Sequence, residues 1–145
     1  MLLITGCNNK PEPKPEPENL SGEMSAPAWT NPTNYDFGSS MTAVVKVDLL
    51  KDYPESAKDW KLMPEDKLAA FMGDMCCGVA EQSDGLFWLY ITEPENASDA
   101  LVSIRYYSAH FKNLFEEADA FPFQNDTHQG SVTEPFIPAL KVVKN

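Results

Sequence analysis

Leu68-Ala69-Ala70-Phe71-Met72-Gly73-Asp74-Met75-Cys76-Cys77-Gly78-Val79-Ala80 is a pair of apolar runs on either side of a Gly-Asp dipeptide. Runs this short suit strands better than helices, and a Gly-X pair between them is the signature of a tight hairpin with a primed turn. The expectation is two antiparallel strands. Asp84-Gly85 marks a second turn, before the aromatic stretch Leu86-Phe87-Trp88-Leu89-Tyr90-Ile91.

The same reading extends outward in both directions. From Met41 to Asp48 the chain alternates, with Met41, Ala43, Val45 and Val47 on one face and Thr42, Val44, Lys46 and Asp48 on the other. Leu101 to Tyr107 alternates again, placing Val102, Ile104 and Tyr106 inward and Ser103 and Arg105 toward water. Residues 49–67 read as loop, with prolines at 54 and 64 and a short helical suggestion around 55–60. Residues 116–119 read as an irregular link, and 120–123, 130–133 and 141–144 as further short strands. Many short strands without an amphipathic helix predict an all-β domain, an antiparallel β-sandwich of immunoglobulin-like or jelly-roll-like kind.

The chain of 145 residues carries 22 acidic and 11 basic side chains, for a net charge of −11. That balance argues against nucleic-acid binding and against docking on anionic lipid, both of which need a basic face. Three cysteines do not make a disulfide framework. Cys76 and Cys77, adjacent in a strand, point to opposite faces, so one buried and one more exposed thiol are expected; a bond between them would need a distorted peptide.

At the N-terminus, Ile4-Thr5-Gly6-Cys7 resembles the bacterial lipobox, whose cysteine is acylated and becomes the new terminus. This makes Cys7 the expected lipid attachment point and residues 1–6 a signal-peptide remnant. A complete signal has a longer apolar stretch, so either the true start lies upstream or these first residues are a truncated remnant. Prolines at 11, 13, 15 and 17 alternate with Glu or Lys. Proline fixes φ and removes a donor, so residues 7–26 are expected to be a disordered, extended tether, about 50–60 Å in reach. The domain is then expected over 27–145. This organisation suits a lipoprotein held at the outer membrane, facing the periplasm or the cell surface.

Met41-Thr42-Ala43-Val44-Val45, Leu68 through Cys76, Gly78-Val79-Ala80, Leu86 through Ile91, Arg105-Tyr106-Tyr107 and Phe121-Pro122-Phe123 follow one another in order. That order resembles a recurrent, functionally uncharacterised β module of Bacteroidetes secreted and surface proteins, over about two-thirds of the chain. Cys77 departs from the pattern, where a polar or basic residue is common. The resemblance implies a β fold and an envelope address and adds no reaction.

In Leu86 to Ile91 one face holds Phe87, Leu89 and Ile91, and the other Leu86, Trp88 and Tyr90. A central strand covered on both faces, the commoner arrangement, would bury all six. If the second face is open, Trp88 and Tyr90 form a platform on which a sugar ring could stack. Trp29 and Trp60, in loop-like sequence, are further stacking candidates or lids over the sheet ends.

Asp48, Asp66 and Asp74 are the calcium candidates, with no EF-hand spacing to support them; a solvated acidic surface is the simpler reading. No other cofactor is implied. His110 and His128 have no short-spacing partner for zinc. There is no Gly-x-Ser-x-Gly elbow, and the apolar setting of Cys76 and Cys77 disfavours a reactive thiolate. The sequons at Asn96 and Asn125 are coincidental in a bacterial chain. The functional expectation is a monomeric, non-catalytic binding module that captures a glycan or a peptide. The alternative is a structural subunit packed against another envelope protein, and a hydrolase is the least favoured reading.

Overall fold

The computed structural model describes residues 18–33, 35–94 and 101–143, with the backbone alone at 35–38 and 94. Cys7, the residues before it, the proline run and Asn96 lie outside the described residues. The fold is an all-β sandwich of two mostly antiparallel sheets. In chain order the elements are β1 (Tyr35–Val45), α1 (Leu49–Asp52), β2 (Lys67–Met72), β3 (Met75–Val79), β4 (Glu81–Ser83) and β5 (Leu86–Pro94). They continue with β6 (Leu101–Ser108), β7 (Asn113–Glu117), β8 (Phe121–Pro122), β9 (His128–Gln129) and β10 (Leu140–Val142). Sheet I has the order β9-β1-β5-β4; sheet II has the order β10-β7-β6-β2-β3, with β8 paired to β6.

The hairpin that opened the sequence argument is present, with Met72 opposite Met75 and Gly73 at φ 61 in the turn. Asp84 and Gly85 take φ 53 and 78, both positive as a type I′ turn requires, and β4 folds back on β5. Between the hairpins the chain passes from sheet II to sheet I across Ala80, whose N–H still bonds Leu68 O. The sheets meet closely there. A Cβ on Gly78 would lie 2.4 Å from Tyr90 O, so only glycine fits where β3 crosses β5.

Period-two alternation fills the core from both sheets. Met41, Ala43, Val45, Phe87, Leu89 and Ile91 come from sheet I; Leu68, Ala70, Val102, Ile104, Tyr106 and Phe115 come from sheet II, all buried. Phe87 meets Tyr106 edge-on at 6.1 Å between ring centroids, and Tyr106 meets Phe115 at 6.0 Å. Full burial of each such side chain contributes about 1.5–3 kcal/mol.

Four sequence expectations are corrected. The helix lies at Leu49–Asp52, where Asp48 accepts from Lys51 N, and residues 54–59 are turns instead. Residues 116–117 end strand β7 and are not a link, because Arg105 and Tyr106 of β6 pair with Glu116 and Phe115. The strand expected at 130–133 falls at His128–Gln129, parallel to β1, where no local alternation marks it. The folded domain also begins before residue 27. Leu20 is 2% exposed in the core, Gly22 N bonds Phe111 O, and Tyr107 donates to Met24 O. Trp29 then packs edge-on against Phe71 and Asn31 accepts from Val79 N, so residues 18–33 strap the outer face of sheet II.

One edge of sheet II is capped by side chains. On β10 the outward N–H groups of Leu140 and Val142 are taken by the Asp52 carboxylate and the Tyr53 hydroxyl, at 3.0 Å each. Among the described residues no helix is long and apolar enough to cross a membrane.

Candidate functional site

The alternation that sends Phe87, Leu89 and Ile91 into the core sends Trp88 and Tyr90 out of it. They are 40% and 58% exposed, so these two residues are not core and the strand is not buried on both faces. Among the described residues no layer lies over the outer face of sheet I as the strap lies over sheet II. The two rings sit in a groove of about 830 Å³.

Its floor is β1 and β5, read in two cross-strand rows. In one, His128 of β9 pairs with Thr42 of β1, which pairs with Tyr90 of β5. In the other, Val44 pairs with Trp88, which pairs with Glu81 of β4. Opposed side chains on one face lie within about 5.5 Å at Cβ, so each row is a continuous strip. Thr42 Oγ1 and His128 Nδ1 are 2.5 Å apart in a hydrogen bond, and Trp88 Nε1 leans toward Ser83 O at 3.5 Å.

The walls run along the sheet edges. On the β5 side they are Asn31, Pro32 and Val79; on the β1 side, Gly130, Ser131 and Val132. Gly130 takes φ +81, and a Cβ there would stand 2.7 Å from Val44 O, so this wall lies directly on the strand backbone. The strap therefore serves the groove as well as sheet II, because its far end supplies a wall. Among the described residues Glu81 is the one carboxylate that lines the groove, and no Lys or Arg does.

The other candidates are placed elsewhere. Trp60 is half-buried against the core and donates to the Tyr106 hydroxyl at 3.2 Å, so it is a lid over the sandwich end. Trp29 packs on sheet II and does not line the groove. Asp48 caps α1, Asp66 is buried among hydrogen-bond donors, and Asp74 sits in the β2–β3 turn with Arg105. About 20 Å of strand separates Asp66 from Asp74, so the three do not converge on a cation. Among the described residues no group of three or more His, Cys, Asp or Glu is arranged for a metal.

Asp66 accepts from Tyr106 Oη at 2.5 Å and from the N–H groups of Met63 and Ala109. Burial raises its carboxyl above the ordinary value, while those hydrogen bonds pull the other way. Burial also pushes the Cys77 thiol up to about 12, and raises Cys76 less, since that side chain is only half-buried. Both thiols are free, as the alternation predicted.

Sequence reasoning missed Glu81, His128, Asn31 and Ser131 as groove residues. Glu81 was within reach, since counting back from the Asp84-Gly85 turn sets it opposite Trp88. His128, Asn31 and Ser131 arrive through long-range contacts that leave no local pattern.

Compared with protein-family models, curated proteins and solved structures, the chain matches none of them.

Proposed function

We propose that this chain is a lipid-anchored binding module of the bacterial cell envelope, attached through Cys7 and capturing a glycan or a peptide on the aromatic face of sheet I. The observation that carries the reading is the exposed pair Trp88 and Tyr90, side by side in one groove. Large aromatic side chains left in water on a folded surface are where binding energy concentrates, because they bury much area at low entropy cost. Binding without catalysis is the favoured reading, since glycoside hydrolysis needs two carboxylates across the cleft and Glu81 alone lines it among the described residues. The lipobox-like start and the resemblance to envelope modules support the address.

A second reading has an observation of its own. Val132 is 58% exposed beside the aromatic pair, so the face is apolar enough to dock another envelope protein as a structural subunit. The deciding experiment measures binding of glycans and peptides to the wild type and to Trp88→Ala and Tyr90→Ala, with melting curves beside it. Loss of ligand in both variants at unchanged melting supports capture. Concentration-dependent association that the same substitutions abolish supports the structural subunit.

A further inference from the structure

We infer that the groove takes an uncharged, extended glycan chain lying along β5; this rests on the capture reading and narrows it. Trp88 and Tyr90 are two residues apart on one strand face, so their Cβ atoms stand about 7 Å apart along the strand. A ligand that covers both rings therefore lies along β5 and is longer than a single sugar ring. Both rings line the groove and its floor is β1 and β5, so a ligand resting on the two rings follows the strands.

Each ring has polar groups beside it for sugar hydroxyls. Tyr90 lies in the row with Thr42 and His128, whose Nδ1 is engaged with Thr42 and whose Nε2 has no partner among the described residues. Trp88 has Glu81 across the strand pair as an acceptor. Asn31 spends its oxygen on Val79 N, which leaves its amide hydrogens as donors at the wall. Rings for the apolar sugar faces and neutral donors and acceptors at their rims suit a polyhydroxylated ligand.

Charge excludes the acidic members of that class. A uronate- or sulfate-bearing polymer would need cations; among the described residues the groove is lined by Glu81 and by no Lys or Arg, in a chain of net charge −11. Strand addition by a peptide is also disfavoured. The outward donors of β1 are taken, Thr42 N by Thr127 O and Lys46 N by Phe136 O, and β3 crosses against Tyr90 O at Gly78.

The test uses the full chain carrying Cys7→Ser and titration calorimetry. The probes are hexamers of β-1,4-linked glucose, mannose and xylose, an oligogalacturonate, and a proline-rich peptide. The expected result is binding of a neutral hexamer that is insensitive to salt, weakens for shorter oligomers, and drops about tenfold or more in Trp88→Ala and Tyr90→Ala at unchanged melting. If the oligogalacturonate or the peptide binds more tightly, through the same two rings, the capture reading stands and the neutral-glycan assignment falls. If a natively melting protein binds none of the probes, both fall. If neither variant folds, the rings are structural and the assignment is overturned.

Discussion

The Tyr106 hydroxyl donates to Asp66 Oδ2 across 2.5 Å in the buried end of the sandwich. Trp60 Nε1 donates to the same hydroxyl, and the N–H of Ala109 closes on the other carboxylate oxygen. The loop before β2 is thereby fastened to the end of β6. Burial raises the phenol above its ordinary value, so Tyr106 remains a donor at every accessible pH. Tyr106→Phe leaves a buried carboxylate short of a donor and the Trp60 N–H short of an acceptor. The expected loss is about 2–3 kcal/mol in chemical denaturation, at the upper end for a hydrogen bond because the acceptor is charged. A loss below about 0.5 kcal/mol would mean that water replaces the hydroxyl.

The two faces of β5 predict opposite stability responses. Phe87→Ala opens a cavity beneath Tyr106 and is expected to cost about 3–5 kcal/mol. Trp88→Ala, next to it in the chain, should cost far less, about 1 kcal/mol, because the residue is already 40% exposed. Urea melts of the two variants side by side check this; equal losses would contradict the open face.

Glu117 shares a strand face with Phe115, so alternation turns a carboxyl toward the sandwich interior, where it accepts from Ile104 N at 3.1 Å. Burial pushes this carboxyl from 4.5 up to about 7. The folded protein thus holds a proton that the unfolded chain has released, and the stability this provides is present below about pH 4.5 and lost as pH rises through about 7. Asp66, also raised, contributes with the same sign. Glu117→Gln keeps an acceptor without the charge, so its melting temperature should exceed wild type by a few °C, roughly 2–4, at pH 8 and converge with it in acid. A constant offset across that range would assign the effect to packing.

Leu20 joins the core from outside the alternating sequence. Leu20→Ala is expected to cost about 2–4 kcal/mol, and a chain starting at residue 27 at least as much, since it also loses the Gly22–Phe111 and Met24–Tyr107 hydrogen bonds. Thermal melts of the truncated and full chains measure the difference. Equal melting would return residues 18–26 to the tether.

Leu20 also marks the limit of what local sequence reveals. The strands with alternation and flanking turns, from Met41, Leu68, Leu86 and Leu101, were legible because period two and a Gly-containing turn are local properties. The strap, the end of β7 and the two-residue β9 were not. Glu116 and Glu117 look like a solvated link, and only pairing to β6 makes them strand. The site was half legible: alternation put Trp88 and Tyr90 on one face, but whether that face is covered depends on the layout of distant segments. Trp29 in the strap, covering sheet II and not sheet I, decided it.

The capped edge at β10 has a consequence for self-association. A sheet edge with free outward donors is a template for the next strand, and fibrils grow from such templates. With Asp52 and Tyr53 holding the Leu140 and Val142 N–H groups, an incoming strand would first have to displace two side chains already bonded there. Molecules at high local concentration collide edge to edge far more often than in dilute solution. Here two ordinary side chains, from the last residue of a four-residue helix and from its C-cap, stop one of those edges from becoming a seed.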